Sequence, residues 1–350
     1  MLVRGSRGFL DRWRKPDQAT SLRSRTRYIV YGAGAVGGVV AARLFQQGAD
    51  VVVVARGEHL AAIRRSGLTF ESPLGSVTLP LRTVEHPSEI TFQLSTDIVF
   101  LATKTQDSAS ALDDLLRVAG PEIRVLCLQN GVESARMALR RFERVGAAMT
   151  LFMASHLQAG IVQTFSAPVF GIIDMGRFPA GVDPFLDAVL GDLRRAGFQS
   201  EIRRDIRRWQ YGKLLVNLKN GLQALCGLDG NYGDIEAELR DEAVSCYRAA
   251  GIAYASEAEM RGRLRGLTNV GRPGDSSWQS LARATGSIET DFLNGEIVLL
   301  GRLHGVPTPL NTRLQHLANR FARERRAPGS LSVDELRELL RASHSDLPES

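Results

Sequence analysis

Residues 27–55, RYIVYGAGAVGGVVAARLFQQGADVVVVA, decide the fold class of this 350-residue chain. The segment RYIVY is typical of a short strand, and a glycine-rich turn follows it before an apolar-periodic helix over about 35–47. Gly48 ends that helix, as a glycine beyond the last helical turn commonly does. The uninterrupted run VVVV then predicts a strand that is buried on both faces. The order strand, turn, helix, strand predicts a βαβ unit.

Within this unit, Gly32, Gly34 and Gly37 have the spacing G-x-G-x-x-G. In the Rossmann dinucleotide-binding fold, such glycines allow a tight turn, a close approach of the pyrophosphate and close packing of helix against strand. The helix N-terminus adds free N–H groups and a positive dipole, so the predicted cofactor contacts include Ala35 and Val36. A structural glycine turn without a ligand is the alternative, and the position inside a βαβ unit favours the cofactor.

The residue after the second strand indicates which dinucleotide binds. In NAD-binding folds an acid at this position holds the ribose 2′-hydroxyl, whereas here the strand is followed by Arg56. A guanidinium suits a 2′-phosphate, because it donates two charge-assisted hydrogen bonds. The sequence therefore predicts NADPH. Glu58 is an alternative contact to a ribose hydroxyl and leaves the use of NADH open.

Strands and helices continue to alternate up to residue 204. DIVFLATK (97–104) and RVLCLQN (124–130) are typical of buried strands, and each precedes a helical segment. This alternation predicts an α/β fold with a Rossmann-type, doubly wound parallel sheet. The other predicted elements of this half are the strands LTFES, SVTLPLRT, 148–155, 161–166, 169–175 and 198–203, and the helices 107–119, from Val132, and 184–196.

From Asp205 onward, strand-like runs disappear and long helical periodicities replace them. The sequence therefore predicts a Rossmann domain over 27–204 and an all-α catalytic domain over 205–341. A disordered basic leader over 1–26 and a flexible tail over 342–350 are expected to flank them. The predicted helices of the second domain are 205–226, 233–256, 277–302, 309–324 and 332–341.

Composition limits the partners. Residues 1–27 carry eight Lys/Arg and two Asp, which accounts for the whole formal net charge of +6, so no basic face for nucleic acid is expected. No apolar run is long enough for a membrane span. The three cysteines lie far apart among apolar residues, and the six histidines lack ligand spacing. We expect a cytoplasmic protein without a metal site.

Several polar residues stand where an active site would form. Lys104 and Asn130 end two buried strands, at the edge where open α/β sheets bind ligands. Lys213, Asn217 and Asn220 are spaced i, i+4, i+7, so a continuous helix would place them on one face. The alternatives are that Lys104 is a surface lysine and that Asn130 belongs to a plain Asn-Gly turn. For Lys213, Asn217 and Asn220 the alternative is a solvated helix face.

The chain resembles the ketopantoate reductase family. The segment 27–68 is similar to the N-terminal half of that family, and four later motifs follow in the same order: FLATKTQD, LQNGVES, RWQYGKLLVNLKN and SSWQSLARATGSIETDFLNGEIVLLGRLHGVPTPLN. The resemblance covers roughly residues 27–325. It implies NADPH-dependent reduction of ketopantoate, a branched 2-oxo acid, to pantoate for pantothenate biosynthesis.

The resemblance also implies roles for single residues. Lys213 is similar to the lysine that acts as general acid, and Glu289 to the acid that contacts the substrate hydroxyl. Lys104 and Asn130 resemble residues that flank the nicotinamide. Asn217 and Ser277 resemble substrate-positioning groups. If Glu289 points at the cleft, it is also placed to pair with Lys213; the alternative is that Glu289 is a solvated helix acid. For Ser277, the alternative is that it caps a helix.

One departure from the family pattern bears on the substrate. Family members often carry a second asparagine eight residues after the lysine, whereas this chain has Gly221 there and Asn220 one residue earlier. Three hypotheses follow: ketopantoate reduction, reduction or oxidation of another 2-oxo or hydroxy acid, and a non-catalytic NADPH-binding module. A homodimer through the helical domain is a further expectation.

Overall fold

The computed structural model of the chain describes residues 26–341. Apart from Thr26, the predicted leader and the predicted tail lie outside the described residues. None of the helices within 26–341 is both long enough and apolar enough to cross a membrane.

A seven-stranded sheet forms the first half, in the order β5-β2-β1-β6-β7-β8-β11. Every neighbouring pair is parallel except β8 and β11, which run antiparallel at one edge. The predicted doubly wound parallel sheet is therefore confirmed, with one antiparallel edge strand. The strands are β1 (Arg27–Tyr31), β2 (Asp50–Val54), β5 (Arg82–Val84), β6 (Asp97–Leu101), β7 (Arg124–Cys127), β8 (Arg144–Leu151) and β11 (Ile172–Arg177).

Apolar side chains on both faces of the sheet form two cores. Tyr28 and Val30 point to one face, and Ile29 points to the other, which is the alternation expected along a strand. The predicted strand 198–203 is wrong, because Gln199 and Ile202 form only isolated bridges to β11. The helices of this half are α1 (Ala35–Gln46), α2 (Gly57–Ser66), α3 (Ser108–Ala119), α4 (Glu133–Leu139) and α5 (Pro184–Arg195).

A second, four-stranded sheet has the order β4-β3-β10-β9. Helix α1 packs against it as well as against the main sheet. The single strand predicted for SVTLPLRT is wrong: Pro80 separates β4 from β5, which belong to different sheets, since proline cannot donate to a ladder. These strands are β3 (Leu68–Ser72), β4 (Gly75–Leu79), β9 (Ala154–Ser155) and β10 (Ile161–Thr164).

The second half is helical over residues 206–341, as predicted, although its helices are shorter than expected. The predicted helix 205–226 breaks after Asn217, and the predicted helix 277–302 is interrupted by a loop and a 3-10 turn at Glu289–Phe292. Helix α9 was missing from the sequence-based expectation. The helices are α6 (Ile206–Asn217), α7 (Asn220–Cys226), α8 (Gly233–Ala249), α9 (Glu257–Arg263), α10 (Ser276–Ala282), α11 (Asn294–His304), α12 (Pro309–Arg323) and α13 (Val333–Arg341).

Helix α6 joins the two halves. Ile206 and Trp209 near its start pack into a core of the main sheet, while Leu214 and Leu215 near its end pack into a helical core. Lys213 lies between these two contacts, at the junction of sheet and helices. The division into two domains at residues 204 and 205 stays a prediction.

Candidate active site

The three motif glycines meet different constraints. Gly32 has φ +108°, and a Cβ there would lie 2.7 Å from the backbone of Ala102, so this position needs glycine. A Cβ at Gly37 would lie 1.9 Å from the carbonyl oxygen of Gly32. At Gly34, by contrast, φ is −67° and a Cβ would meet no atom within 4 Å. Neither the backbone conformation nor the packing requires glycine at position 34, so the open space beside it can hold part of a ligand.

That open space lies at the N-terminus of helix α1. Gly34 is the N-cap, and no side chain caps the helix, so the first N–H groups, from Ala35 and Val36 onward, have no intrahelical partner. Uncapped N–H groups at a helix start favour an anion. The residues present therefore fit the pyrophosphate of a dinucleotide.

Arg56 lies at the same edge of the sheet, two residues after the end of β2. It is the N-cap of α2, and its side chain is 77% exposed. Its guanidinium donates to Asp107 Oδ2 at 3.0 Å. An exposed pair of this kind contributes little to stability, so the guanidinium is free to change partner.

Lys104 and Asn130 follow β6 and β7, so both stand where the carboxyl ends of parallel strands meet. Lys104 precedes a 3-10 turn at Thr105–Asp107. Gly131 has φ +79°, and a Cβ there would lie 2.9 Å from the carbonyl oxygen of Phe292. The Asn130-Gly131 turn therefore touches the helical half of the chain.

Glu289 is buried and binds across the junction between the halves. Its Oε2 accepts from Lys104 Nζ at 2.6 Å, and its Oε1 accepts from the N–H and the hydroxyl of Thr105, both at 3.1 Å. Burial raises the pKa of Glu289, but the Lys104 ammonium and these hydrogen bonds outweigh it and leave the pKa below its usual value. The partner of Glu289 is thus Lys104, and the pairing considered for Lys213 is not formed.

Lys213 is half-buried in α6, and its Nζ donates to Asn217 Oδ1 at 2.9 Å. Burial lowers the pKa of Lys213 to about 8, and the positive charges of Arg272 and Lys219 add to the effect. The Nδ2 of Asn217 is buried without a hydrogen-bond partner. An ammonium group with a pKa near neutral pH, beside an amide N–H that lacks an acceptor, is suited to bind an oxygen atom of a ligand.

The common helical face predicted for Lys213, Asn217 and Asn220 is interrupted. Helix α6 ends at Asn217, and Asn220 begins α7 after a two-residue break. A Cβ at Gly221 would lie 3.1 Å from Leu314, so position 221 faces the helical core. An asparagine at position 221 would therefore meet apolar packing, and Asn220 is the second amide that this chain offers.

Ser277 lies on α10, which packs against α7. The cap of α10 is Asp275 rather than a serine, because Asp275 Oδ1 accepts from the N–H groups of Ser277 and Trp278, both at 2.9 Å. Ser277 is 2% exposed, and its hydroxyl is not the cap. The helix-capping role considered for Ser277 is therefore wrong.

Sequence analysis missed two charged residues of the site, Arg272 and Asp275. Both act electrostatically on Lys213. Burial raises the pKa of Asp275 to about 6, and its Oδ2 has no hydrogen-bond partner. An acid directly before two serines signals a helix cap in the sequence, but nothing local indicates that the arginine of a loop is half-buried.

Comparisons with known proteins show which family the chain resembles over both halves. The family model described as Ketopantoate reductase PanE/ApbA matches residues 28–179, and its C-terminal counterpart matches residues 205–322. A 2-dehydropantoate 2-reductase of Pyrococcus horikoshii is 28% identical over 297 residues, 81% of this chain and 93% of the relative.

Two solved structures are similar in fold. The PanE/ApbA family ketopantoate reductase of Ralstonia eutropha JMP134 has a TM-score of 0.72 at 25% identity, covering 86% of this chain and 99% of that one. D-mandelate dehydrogenase in its ternary structure with NADH and anilino(oxo)acetate has a TM-score of 0.71 at 22% identity, with the same coverage.

Proposed function

The chain belongs to the ketopantoate reductase family, an oxidoreductase family, and from this premise we propose that it reduces a 2-oxo acid to a 2-hydroxy acid with NADPH. Ketopantoate, reduced to pantoate, is the proposed substrate. The observation that carries the proposal is the half-buried ammonium of Lys213, bound to Asn217 and with its pKa lowered to about 8.

The proposed cofactor site uses the backbone of the glycine turn from Gly32 to Gly37 for the pyrophosphate and Arg56 for the 2′-phosphate. Lys104 and Asn130 stand further along the same edge and would border the nicotinamide. When bound, the nicotinamide supplies a hydride. The space above Gly34 supports this assignment, since neither the local conformation nor the packing explains a glycine there.

In the proposed reaction, Lys213 donates a hydrogen bond to the carbonyl oxygen and then its proton as negative charge develops. A general acid works best when its pKa lies near the working pH, and burial brings Lys213 there from its ordinary value of 10.5. Asn217 holds the ammonium in place. Because the site is partly desolvated, this ammonium also stabilises the developing charge more than it would in water.

Glu289 is proposed to accept a hydrogen bond from the substrate hydroxyl. Its lowered pKa keeps it ionised and therefore an acceptor. Its bonds to Lys104 and Thr105 fix its orientation. Ser277 and Asn220, on the neighbouring helices α10 and α7, are proposed to position the rest of the substrate.

The second candidate function is the same type of reaction with a different 2-oxo or hydroxy acid as substrate. The one-residue shift of the second asparagine, from position 221 to Asn220 after the break in the helix, favours it, because amide direction decides which hydroxyl or side chain fits. A non-catalytic NADPH-binding module is the third candidate. A cytoplasmic location and a homodimer through the helical domain stay predictions.

One panel separates these candidates. Purified protein is given NADPH or NADH with ketopantoate, ketoisovalerate, pyruvate and other 2-oxo acids, and oxidation of the cofactor is followed by absorbance. Fast turnover of ketopantoate alone supports the main proposal, whereas faster turnover of another 2-oxo acid supports the second candidate. Tight NADPH binding without any turnover would overturn the proposed activity.

A further inference from the structure

We infer that Arg272 binds the carboxylate of the substrate, beside the ammonium of Lys213; this inference rests on the proposed function and names the group that would select 2-oxo acids over other carbonyl compounds. A 2-oxo acid carries two adjacent oxygen-bearing groups, a carbonyl and a carboxylate. The carbonyl group needs one cation as its proton donor, and a second cation is suited to bind the carboxylate.

The loop that carries Arg272 is fixed on both sides. Before it, the N–H of Val270 donates to the carbonyl oxygen of Phe165 at 2.9 Å. After it, Gln279 Nε2 donates to the carbonyl oxygen of Gly274 at 3.2 Å. The backbone of Arg272 is therefore held against both halves of the chain.

The guanidinium of Arg272 lacks a partner. Its Nε is buried without a hydrogen bond, and within residues 26–341 the guanidinium has no acid within 4 Å; the charge of Asp275 acts on it from a longer distance. Burial is the main cause that lowers the pKa of Arg272. Burying an unpartnered polar group costs free energy, and an anion that binds there offsets that cost.

The neighbouring cations are already engaged. Lys104 is bound to Glu289, and Lys219 pairs with an acid of α8 at 3.7 Å. Lys213 is bound to Asn217 and is the proposed acid. Of the two described cations that lower the pKa of Lys213 by their charge, Arg272 is the one without a salt bridge, although the carboxylate of Asp275 acts on it from beyond 4 Å.

The chemistry of the two cations suits a division of roles. A planar guanidinium donates two parallel N–H groups, which match the two oxygens of a carboxylate, while an ammonium acts as a point charge and shifts its pKa readily. Arg272 would therefore fix the acid and leave the carbonyl oxygen for Lys213.

The test uses Arg272→Met and Arg272→Lys, with Arg265→Met as the control at an exposed arginine on the same loop. We expect Arg272→Met to raise the KM of the 2-oxo acid about 100-fold, since a hydrogen-bonded charge pair is lost, with kcat changed less and the Kd of NADPH within about threefold. Arg272→Lys should restore part of the loss, and the control should match the wild type. Thermal melting checks that each variant is folded.

A second readout separates binding from a structural effect. Arg272 repels a proton on Lys213, so Arg272→Met should move the alkaline limb of kcat/KM to higher pH. Lys219 also acts on Lys213 and keeps its charge in this variant, whereas loss of Arg272 raises the pKa of Asp275 and so makes the expected shift smaller. A limb that stays in place, together with an unchanged KM, would overturn the inference.

Calorimetry with pantoate, added to the protein with NADP⁺, distinguishes the two levels of the proposal. If the wild type reduces 2-oxo acids but Arg272→Met binds pantoate equally well, this inference fails and the proposed function stands. If the wild type binds pantoate through Arg272 without turning over any 2-oxo acid, the proposed reduction fails while the carboxylate site is supported. Absence of both turnover and pantoate binding in the wild type overturns both.

Discussion

Lys104 Nζ and Glu289 Oε2 lie 2.6 Å apart, although 185 positions separate the two residues in the chain. Lys104 belongs to the edge of the parallel sheet, and Glu289 begins the 3-10 turn of the helical half. The pair therefore ties together the two parts that border the proposed cleft. Because Glu289 is buried, its charge depends on this counter-ion.

We expect Glu289→Gln and Lys104→Met each to lower kcat/KM for the 2-oxo acid by at least about 30-fold, and the double variant to be little worse than the more damaged single variant. The reason is that Lys104→Met leaves the buried charge of Glu289 unpaired, while Glu289→Gln leaves the partly buried ammonium of Lys104 without its counter-ion. A double-mutant cycle measured by steady-state kinetics checks this. The exposed Arg117–Asp114 pair is the control cycle, with effects near zero; additive losses at Lys104 and Glu289 would contradict the coupling.

The pH dependence of reduction should report Lys213. Burial lowers its pKa to about 8, so the ammonium loses its proton as the pH rises through that value. The general acid is then absent, and kcat/KM for reduction should fall about tenfold per pH unit above pH 8. Oxidation of the hydroxy acid needs the neutral amine and should rise over the same interval. A reduction rate that is level from pH 7 to 10 would contradict the assignment.

Replacing Lys213 by alanine tests the same role directly. We expect Lys213→Ala to lower the rate by at least about 100-fold, within the range of general acid catalysis, while the affinity for NADPH changes little. Stopped-flow single turnovers and fluorescence titration with NADPH measure the two quantities. Lys219→Ala, in the break between α6 and α7 and paired with an acid of α8, is the comparison variant; because its charge lowers the pKa of Lys213, it should raise that pKa but keep turnover near the wild-type value at pH 7. Near-normal turnover would remove Lys213 from the mechanism.

The sequence predicts best what depends on neighbours in the chain. The βαβ unit with Gly32 and the Lys213–Asn217 contact both follow from local spacing, and the structure contains both. The Lys104–Glu289 pair could not be predicted, because no local signal links residues so far apart. Nor could the partial burial of Arg272 and its unpartnered Nε, since a loop arginine is usually exposed.

The break after Asn217 shows a different limit. The periodicity of 205–226 continues through Leu218 and Lys219, so the pattern predicts one helix, but the structure ends α6 and begins α7 at Asn220. Tertiary packing decides this, because α7 must fit between α10 and α12. Helical periodicity therefore predicts that Asn217 and Asn220 lie on helices, but it does not predict in which direction their side chains point.

Two glycines of the turn should respond differently to the same substitution. At Gly34 a Cβ meets nothing within 4 Å, so Gly34→Ala should keep the thermal stability nearly unchanged and weaken NADPH binding by at least about tenfold, because the methyl group fills ligand space. At Gly37 the Cβ would lie 1.9 Å from Gly32, so Gly37→Ala should also lower the melting temperature. Thermal melting and NADPH titration check both variants. Unchanged NADPH affinity in Gly34→Ala would remove this turn from the cofactor site.

Arg56 should decide between the two cofactors. Removing its guanidinium in Arg56→Gln takes away the donors for a 2′-phosphate, so NADPH should bind at least about tenfold more weakly while NADH is nearly unaffected. In the free protein Asp107 holds Arg56 at 3.0 Å, but the pair is exposed and weak, so Asp107→Asn should strengthen NADPH binding by no more than about fivefold. Arg64→Gln, at another exposed arginine of α2 that pairs with Glu89, is the control. Fluorescence titration with each cofactor checks the three variants, and an equal loss of NADPH and NADH affinity in Arg56→Gln would show that the guanidinium does not read the phosphate.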